Sequence, residues 1–238
     1  MSTKIQKDIV CPACGQTQKL EMYTSVNAEE NPELRRDILR ESMFDWECLH
    51  CGYTAQMAYP MIYHDPMNAF MICLRPSGAV SGAEPIPAVR ALKKRSVKNP
   101  QELKEKILIF EAGLDDAAVE LVKNAIVTVV RKNLDGNVHA YFCAATEEEL
   151  RFALFVKGRQ EPVYQTTKMA VYRQSQEVLR TLDYKSPDDF AVVNSKPKAF
   201  WTNISRSNPI KANGTAFCNG AVFLCAHVYR LCVLWSYG

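Results

Sequence analysis

Residues 11–15 read CPACG and residues 48–52 read CLHCG, and the way these two stretches are taken decides the fold. Both are C-x-x-C-G knuckles. Zinc takes four soft thiolates at about 2.3 Å in a tetrahedron, and a C-x-x-C turn supplies two of them from one bend of the backbone. Gly15 and Gly52 follow the second cysteine of each pair, where the exit from the turn calls for a positive φ. Pro12 pre-sets the first turn. The pattern therefore reads as one Zn2+ ion held by Cys11, Cys14, Cys48 and Cys51. Four thiolates fill the coordination shell and leave no position for water, so the site is structural rather than catalytic. The 33 residues between Cys14 and Cys48 exceed the roughly 15–20 usual between paired knuckles. Loop-closure cost rises only slowly with length, so the insertion is tolerable.

Three other readings share the same spacing. The cysteines could be reduced and unliganded, one pair could be a thiol redox dithiol, or four thiolates could hold an iron–sulfur cluster. Two matching pairs, neither opening a long helix in a βαβ pattern, weigh against the redox reading.

Working outward, residues 5–18 read as a short strand running into the first knuckle. The middle of the insertion, residues 31–42 (NPELRRDILRES), carries a helix start: Asn31 at the cap and Pro32 at the first helical position. Leu34, Ile38 and Leu39 share a face, and Glu33 and Asp37 each precede an arginine by three residues, which predicts solvated ion pairs. Beyond the second knuckle, two β-rich runs flank the polar turn 64–68 and predict a hairpin. Residues 76–87 (PSGAVSGAEPIP) read as a linker. Further on, a strand is expected at 89–97, helices at 100–111 and 115–132, strands at 138–145 and 150–156, and helices at 166–182 and 187–194. The fold class is α+β: a zinc-ribbon-like N-terminal unit with a β-hairpin extension, then a mixed helix and strand region. The expected organisation is 1–76 zinc-ribbon-like domain, 77–88 linker, 89–205 α+β region and 206–238 an atypical apolar tail. That tail carries Cys218, Cys225 and Cys232 at seven-residue intervals. It reads as a buried or surface-associated segment, a membrane span interrupted by Asn219, His227 and Arg230, or the product of a shifted reading frame.

Composition is that of a soluble globular chain: 238 residues, 47% hydrophobic and 23% charged. The first ten residues have no apolar signal-peptide core, and paired C-x-x-C motifs suit a reducing compartment, so a cytoplasmic location is expected. Net charge is +3. Residues 1–75 carry 7 Lys/Arg and 10 Asp/Glu, and residues 76–238 carry 22 and 16, so the cysteine-bearing part is the acidic one. This weakens an electrostatic nucleic-acid footprint there.

Other chemistry-bearing residues have plainer readings. His50 is an exposed spacer or a donor to a sulfur. His64 and Asp65 read as turn residues before a general-base pair. Cys73 reads as core, and Glu147, Glu148 and Glu149 as a solvated run. The cluster Arg90, Lys93, Lys94, Arg95 and Lys98 reads as a solvated basic edge that could also meet a phosphate backbone. No P-loop, dinucleotide glycine pattern, nucleophile elbow or H-E-x-x-H is present, so no catalytic residue is assigned.

Taken together, CPACG at 11–15, NPEL at 31–34, SMFDWECLHCG at 42–52 and AYPMIYHDPMNAFMICLRP at 58–76 resemble the CpXC-domain proteins of bacteria and archaea. The resemblance places the family's cysteine motif on Cys11, Cys14, Cys48 and Cys51. Leu49 stands where the family's second knuckle usually has proline, and residues 205–238 lie outside the pattern. It implies a zinc-ribbon-like domain and supplies no reaction. The expected role is a binding or scaffold module for a protein partner. A nucleic-acid-associated ribbon, using the basic edge with Tyr53, Tyr59 and Tyr63, and an enzyme with chemistry in 88–204 are the rivals. Because the N-terminal part has too few apolar residues to hold itself together, metal loss is expected to unfold all of residues 1–75.

Overall fold

Alternating side chains, two tight knuckles and a helix started by proline give the first part of the chain mixed secondary structure. A computed structural model of the protein describes residues 1–76, 92–133, 137–187 and 189–194. Within them are β1 (Thr3–Val10), β2 (Thr17–Asn27), α1 (Pro32–Arg40), a 3-10 turn (Ser42–Phe44), β3 (Asp45–Glu47), β4 (Thr54–Gln56), β5 (Met61–Asp65), β6 (Phe70–Leu74) and β7 (Lys93–Val97). There follow α2 (Pro100–Glu111), α3 (Asp116–Asn133), β8 (Val138–Ala145), β9 (Glu149–Val156), β10 (Val163–Lys168) and α4 (Met169–Thr181). The class is α+β. Among the described residues the chain divides into two compact units, one from Met1–Lys106 with Pro187–Val192 and the other from Ile107–Ser186 with 193–194. The linker expected at 77–88 and the tail at 206–238 lie outside the described residues.

The first unit is built on a five-stranded sheet in the order β1-β2-β5-β6-β7. The hairpin β5–β6 is not an appendage, as the sequence suggested, but the middle of this sheet. It pairs in parallel with β2 on one side, through Ser25–Asn27, and in parallel with β7 on the other. Its turn is closed by Asp65, whose carboxylate accepts from the backbone N–H of Asn68 at 3.0 Å and from its Nδ2 at 2.8 Å. Val26, Ile38, Phe44, Met61, Tyr63, Phe70, Ile72 and Leu74 are buried here. The stacked pair Tyr63–Phe70, with ring centres 5.9 Å apart, lies at its middle. Burying a side chain of this size contributes roughly 1.5–3 kcal/mol, so residues 22–74 have a core of their own.

Three features of this unit escaped the sequence reading. The long β2 was hidden because its residues alternate in type without a run of strong strand formers. Arg95 was expected on a solvated edge, yet it is fully buried within β7, in register with Ile72. The segment 189–194, read as helical, instead runs alongside β7. The carbonyl of Ala191 accepts the N–H of Ser96 at 2.9 Å, and the backbone bridges at Arg95.

The second unit sets a three-stranded antiparallel sheet, β10-β9-β8, with α3 and α4. Leu150, Phe152, Leu154 and Val156 of β9 and Val138, Ala140 and Phe142 of β8 form its buried face. The side chains of Asp115 and Asn99 cap their helices, accepting from the N–H groups of Ala118 and Glu102 at 2.9 and 2.8 Å. Residues 166–168, expected to open α4, belong to β10. Their pairing with Arg151, Leu150 and Glu149 satisfies the backbone before the helix begins, and threonines fit a pleated strand well.

Candidate metal centre

Both knuckles are turns at the tips of antiparallel strand pairs. The first joins β1 to β2, closing on Val10 opposite Thr17, and the second joins β3 to β4, closing on Glu47 opposite Thr54. Their backbones are pinned alike. Gly15 donates to the Cys11 carbonyl at 2.9 Å and Gly52 to that of Cys48 at 2.8 Å. Cys11 in turn donates to Gln16 and Cys48 to Tyr53. The two glycines have φ of 72° and 70°, in the left-handed region the turn exit was expected to need.

This folding brings all four sulfurs together, with every pair within 4.8 Å. Cys11 Sγ lies 3.7 Å from Cys51 Sγ, and Cys14 Sγ 3.7 Å from Cys48 Sγ. A disulfide would need about 2.05 Å. A tetrahedral shell with bonds of about 2.3 Å has sulfur–sulfur edges of about 3.8 Å, which is the spacing found across the two knuckles. Cys11 and Cys48 are buried, and Cys14 and Cys51 face solvent.

The sulfurs do not ionise alike. Burial opposes a thiolate at Cys11, but the N–H groups of Cys14 and Ala13 outweigh it and bring its pKa down to about 7. Cys48 also shifts down: burial resists, while the N–H groups of His50 and Cys51 prevail. At Cys14 and Cys51 the largest influence is again a backbone N–H, from Gln16 and from Tyr53, and it favours the thiolate. Burial and the neighbouring thiols reverse it, raising Cys14 and pushing Cys51 to about 12. Clustered thiols resist full ionisation unless a cation shares their charge.

Trp46 of β3 seats the pair of knuckles. It is buried against Cys11 and Cys48, with Ile9, Leu20, Ala55 and Met57 around it. Tyr53 meets its ring edge-on, centres 6.4 Å apart. Gln18 of β2 ties one hairpin to the other: its Nε2 donates to the Glu47 carbonyl at 3.0 Å and its Oε1 accepts from Leu49 N–H at 2.9 Å. Sequence reasoning missed Gln18, because nothing in its spacing marks a contact 31 residues away.

The remaining sequence candidates lie elsewhere. His50 is exposed, Asp65 serves the β5–β6 turn, and Cys73 is core on β6, with Arg75 Nε 3.2 Å from its sulfur. Of the aromatics offered for nucleic acid, Tyr53 is exposed, but Tyr59 and Tyr63 are buried. With Arg95 also buried, the basic edge keeps Lys93, Lys94 and Lys98 among the described residues.

The family model described as CpXC protein matches residues 9–123. Residues 9–123 are a CpXC domain. The CpXC match contains both knuckles, the β5–β6 hairpin, β7, α2 and the start of α3. No curated protein and no solved structure matches the chain. Among the described residues, no helix is long and apolar enough to cross a membrane.

Proposed function

We propose that this CpXC protein is a zinc-dependent binding module. In this reading Cys11, Cys14, Cys48 and Cys51 hold one structural Zn2+ in a zinc-ribbon-like arrangement. The observation that carries the reading is the 3.7 Å spacing of sulfurs across the two knuckles, which fits the edge of a tetrathiolate shell. With no position left for water, the metal supplies rigidity, and function passes to the surface it holds in place. Val10, Leu49 and Tyr53, on the rim of the knuckles, expose 62%, 85% and 41% of their surface, which suits recognition of a protein partner. Reduced thiolates of this kind persist in a reducing compartment, in keeping with a cytoplasmic location.

Metal content per chain, measured on protein purified without added metal and paired with a free-thiol count, tests the proposal. One zinc per chain with four protected thiols supports it. Metal-free protein with fast-reacting thiols in one knuckle would replace it with thiol redox chemistry.

A further inference from the structure

The outward face of the β10-β9-β8 sheet takes no part in the metal centre and lies wholly within the second unit. Along β9, Leu150, Phe152, Leu154 and Val156 point into the core, so Arg151, Ala153 and Phe155 take the other face, with Arg151 and Phe155 exposed and Ala153 buried between its neighbours. The register sets Tyr141 of β8 and Tyr164 of β10 on either side of Ala153. Ala153 is thus a small floor between two tyrosines whose Cα atoms are two strand spacings, about 10 Å, apart. Phe155 lies one step along β9 from this floor and Arg151 one step back.

The rings are presented rather than packed away. Tyr164 and Phe155 expose 54% and 45% of their surface, and Phe155 meets Tyr141 edge-on at 5.8 Å. The Arg151 guanidinium lies 4.4 Å from the centre of the Tyr164 ring. On the same face, exposed His139 pairs with Phe155, Thr166 with Arg151, and Lys168 with Glu149. Cations interleaved with exposed flat rings suit a polymer of flat bases joined by anions. Base–aromatic stacking supplies sequence-tolerant affinity, and arginine and lysine meet the phosphates. A second copy docked through the same face would set Arg151 and Lys168 near their own counterparts, with Glu149 the acid available to oppose them.

We propose that this face is a stacking platform for single-stranded nucleic acid, with bases on Tyr164 and Phe155 above the Ala153 floor and phosphates at Arg151 and Lys168. The proposal does not depend on the metal reading.

Fluorescence polarisation of the full chain as purified, with short labelled oligo(dT) and oligo(U), tests it. Binding that weakens steeply as salt rises is expected, and the tighter of the two probes separates DNA from RNA. Tyr164→Ala and Phe155→Ala should each weaken binding about fivefold or more, the range of one lost base stack. Ala153→Leu keeps every ring but fills the floor and should weaken binding similarly. Met67→Ala, at the exposed β5–β6 turn of the other unit, should leave it unchanged. Tyr164 sits exposed on an edge strand, so circular dichroism of that variant should match the parent. Failure of both probes to bind at low salt would overturn the proposal. So would binding unaffected by Tyr164→Ala and Phe155→Ala, or a concentration-dependent dimer that Tyr164→Ala disperses while no oligonucleotide binds.

Discussion

Gln18 shows how much of the metal centre rests on a residue that binds no metal. Its amide spans the Glu47 carbonyl and the Leu49 N–H, so it holds the second knuckle in register with the hairpin bearing the first. Each hydrogen bond of this exposed kind contributes about 1 kcal/mol. Gln18→Ala removes both bonds and is therefore expected to keep the metal but to release it to a chelator about thirtyfold faster, read by stopped-flow with a zinc indicator. The thiols make a second residue-scale prediction. The metal binds thiolates, and Cys14 and Cys51 have raised pKa values, so at neutral pH both must give up protons to bind it. Affinity should then rise at least about a hundredfold per pH unit just above neutrality, since at least these two protons are displaced. Below about pH 7 Cys11 is protonated as well, and the dependence should steepen. Competition with a chelator of known pH behaviour would check it; a flat profile would show that the sulfurs do not bind the metal.

At the scale of elements, the hairpins differ in what supports them. The β1–β2 pair joins the main sheet only where Ser25–Asn27 meets β5, and the half nearer the knuckle has both faces largely exposed. A free two-stranded ribbon is marginal in water. The β3–β4 pair is three residues a side. On the proposed reading these elements would depend on the metal and on Trp46, whereas residues 22–40 and 59–74 have the apolar core described above. Metal removal is therefore expected to open residues 3–20 and 45–57 and to leave the β5–β6–β7 region folded, a narrower outcome than the unfolding of residues 1–75 expected from the sequence. Hydrogen exchange with and without chelator would show it: protection lost only in the two hairpins supports the partition, and loss through β5 and β6 refutes it.

For the whole molecule, a ligand that binds only the folded form stabilises it by mass action, about 2.7 kcal/mol when free zinc is a hundred times its dissociation constant. The melting temperature of the first unit's hairpin probes, Trp46 fluorescence above all, should climb with the logarithm of free zinc. In a variant with Cys11 and Cys48 changed to serine it should not move. The second unit carries its own demand, a buried ion pair between Glu120 and Lys123 with Lys123 Nζ 3.0 Å from the carboxylate. Neither that pair nor the buried Arg95 was anticipated, because a charge in sequence looks the same whether it will be solvated or enclosed.

What the sequence determined by itself was local or strongly typed. The knuckles follow from cysteine spacing and glycine, α1 from Asn31-Pro32, α2 from Asn99-Pro100, and β8 and β9 from alternation, because each depends on residues a few positions apart. The pairing of sulfurs across 40 residues, the central place of β5–β6, the burial of Arg95, the grip of Gln18 and the aromatic face around Ala153 depend on strand order and register. Those are set when distant segments compete to bury apolar surface and satisfy backbone hydrogen bonds, a choice that no local stretch of the chain encodes.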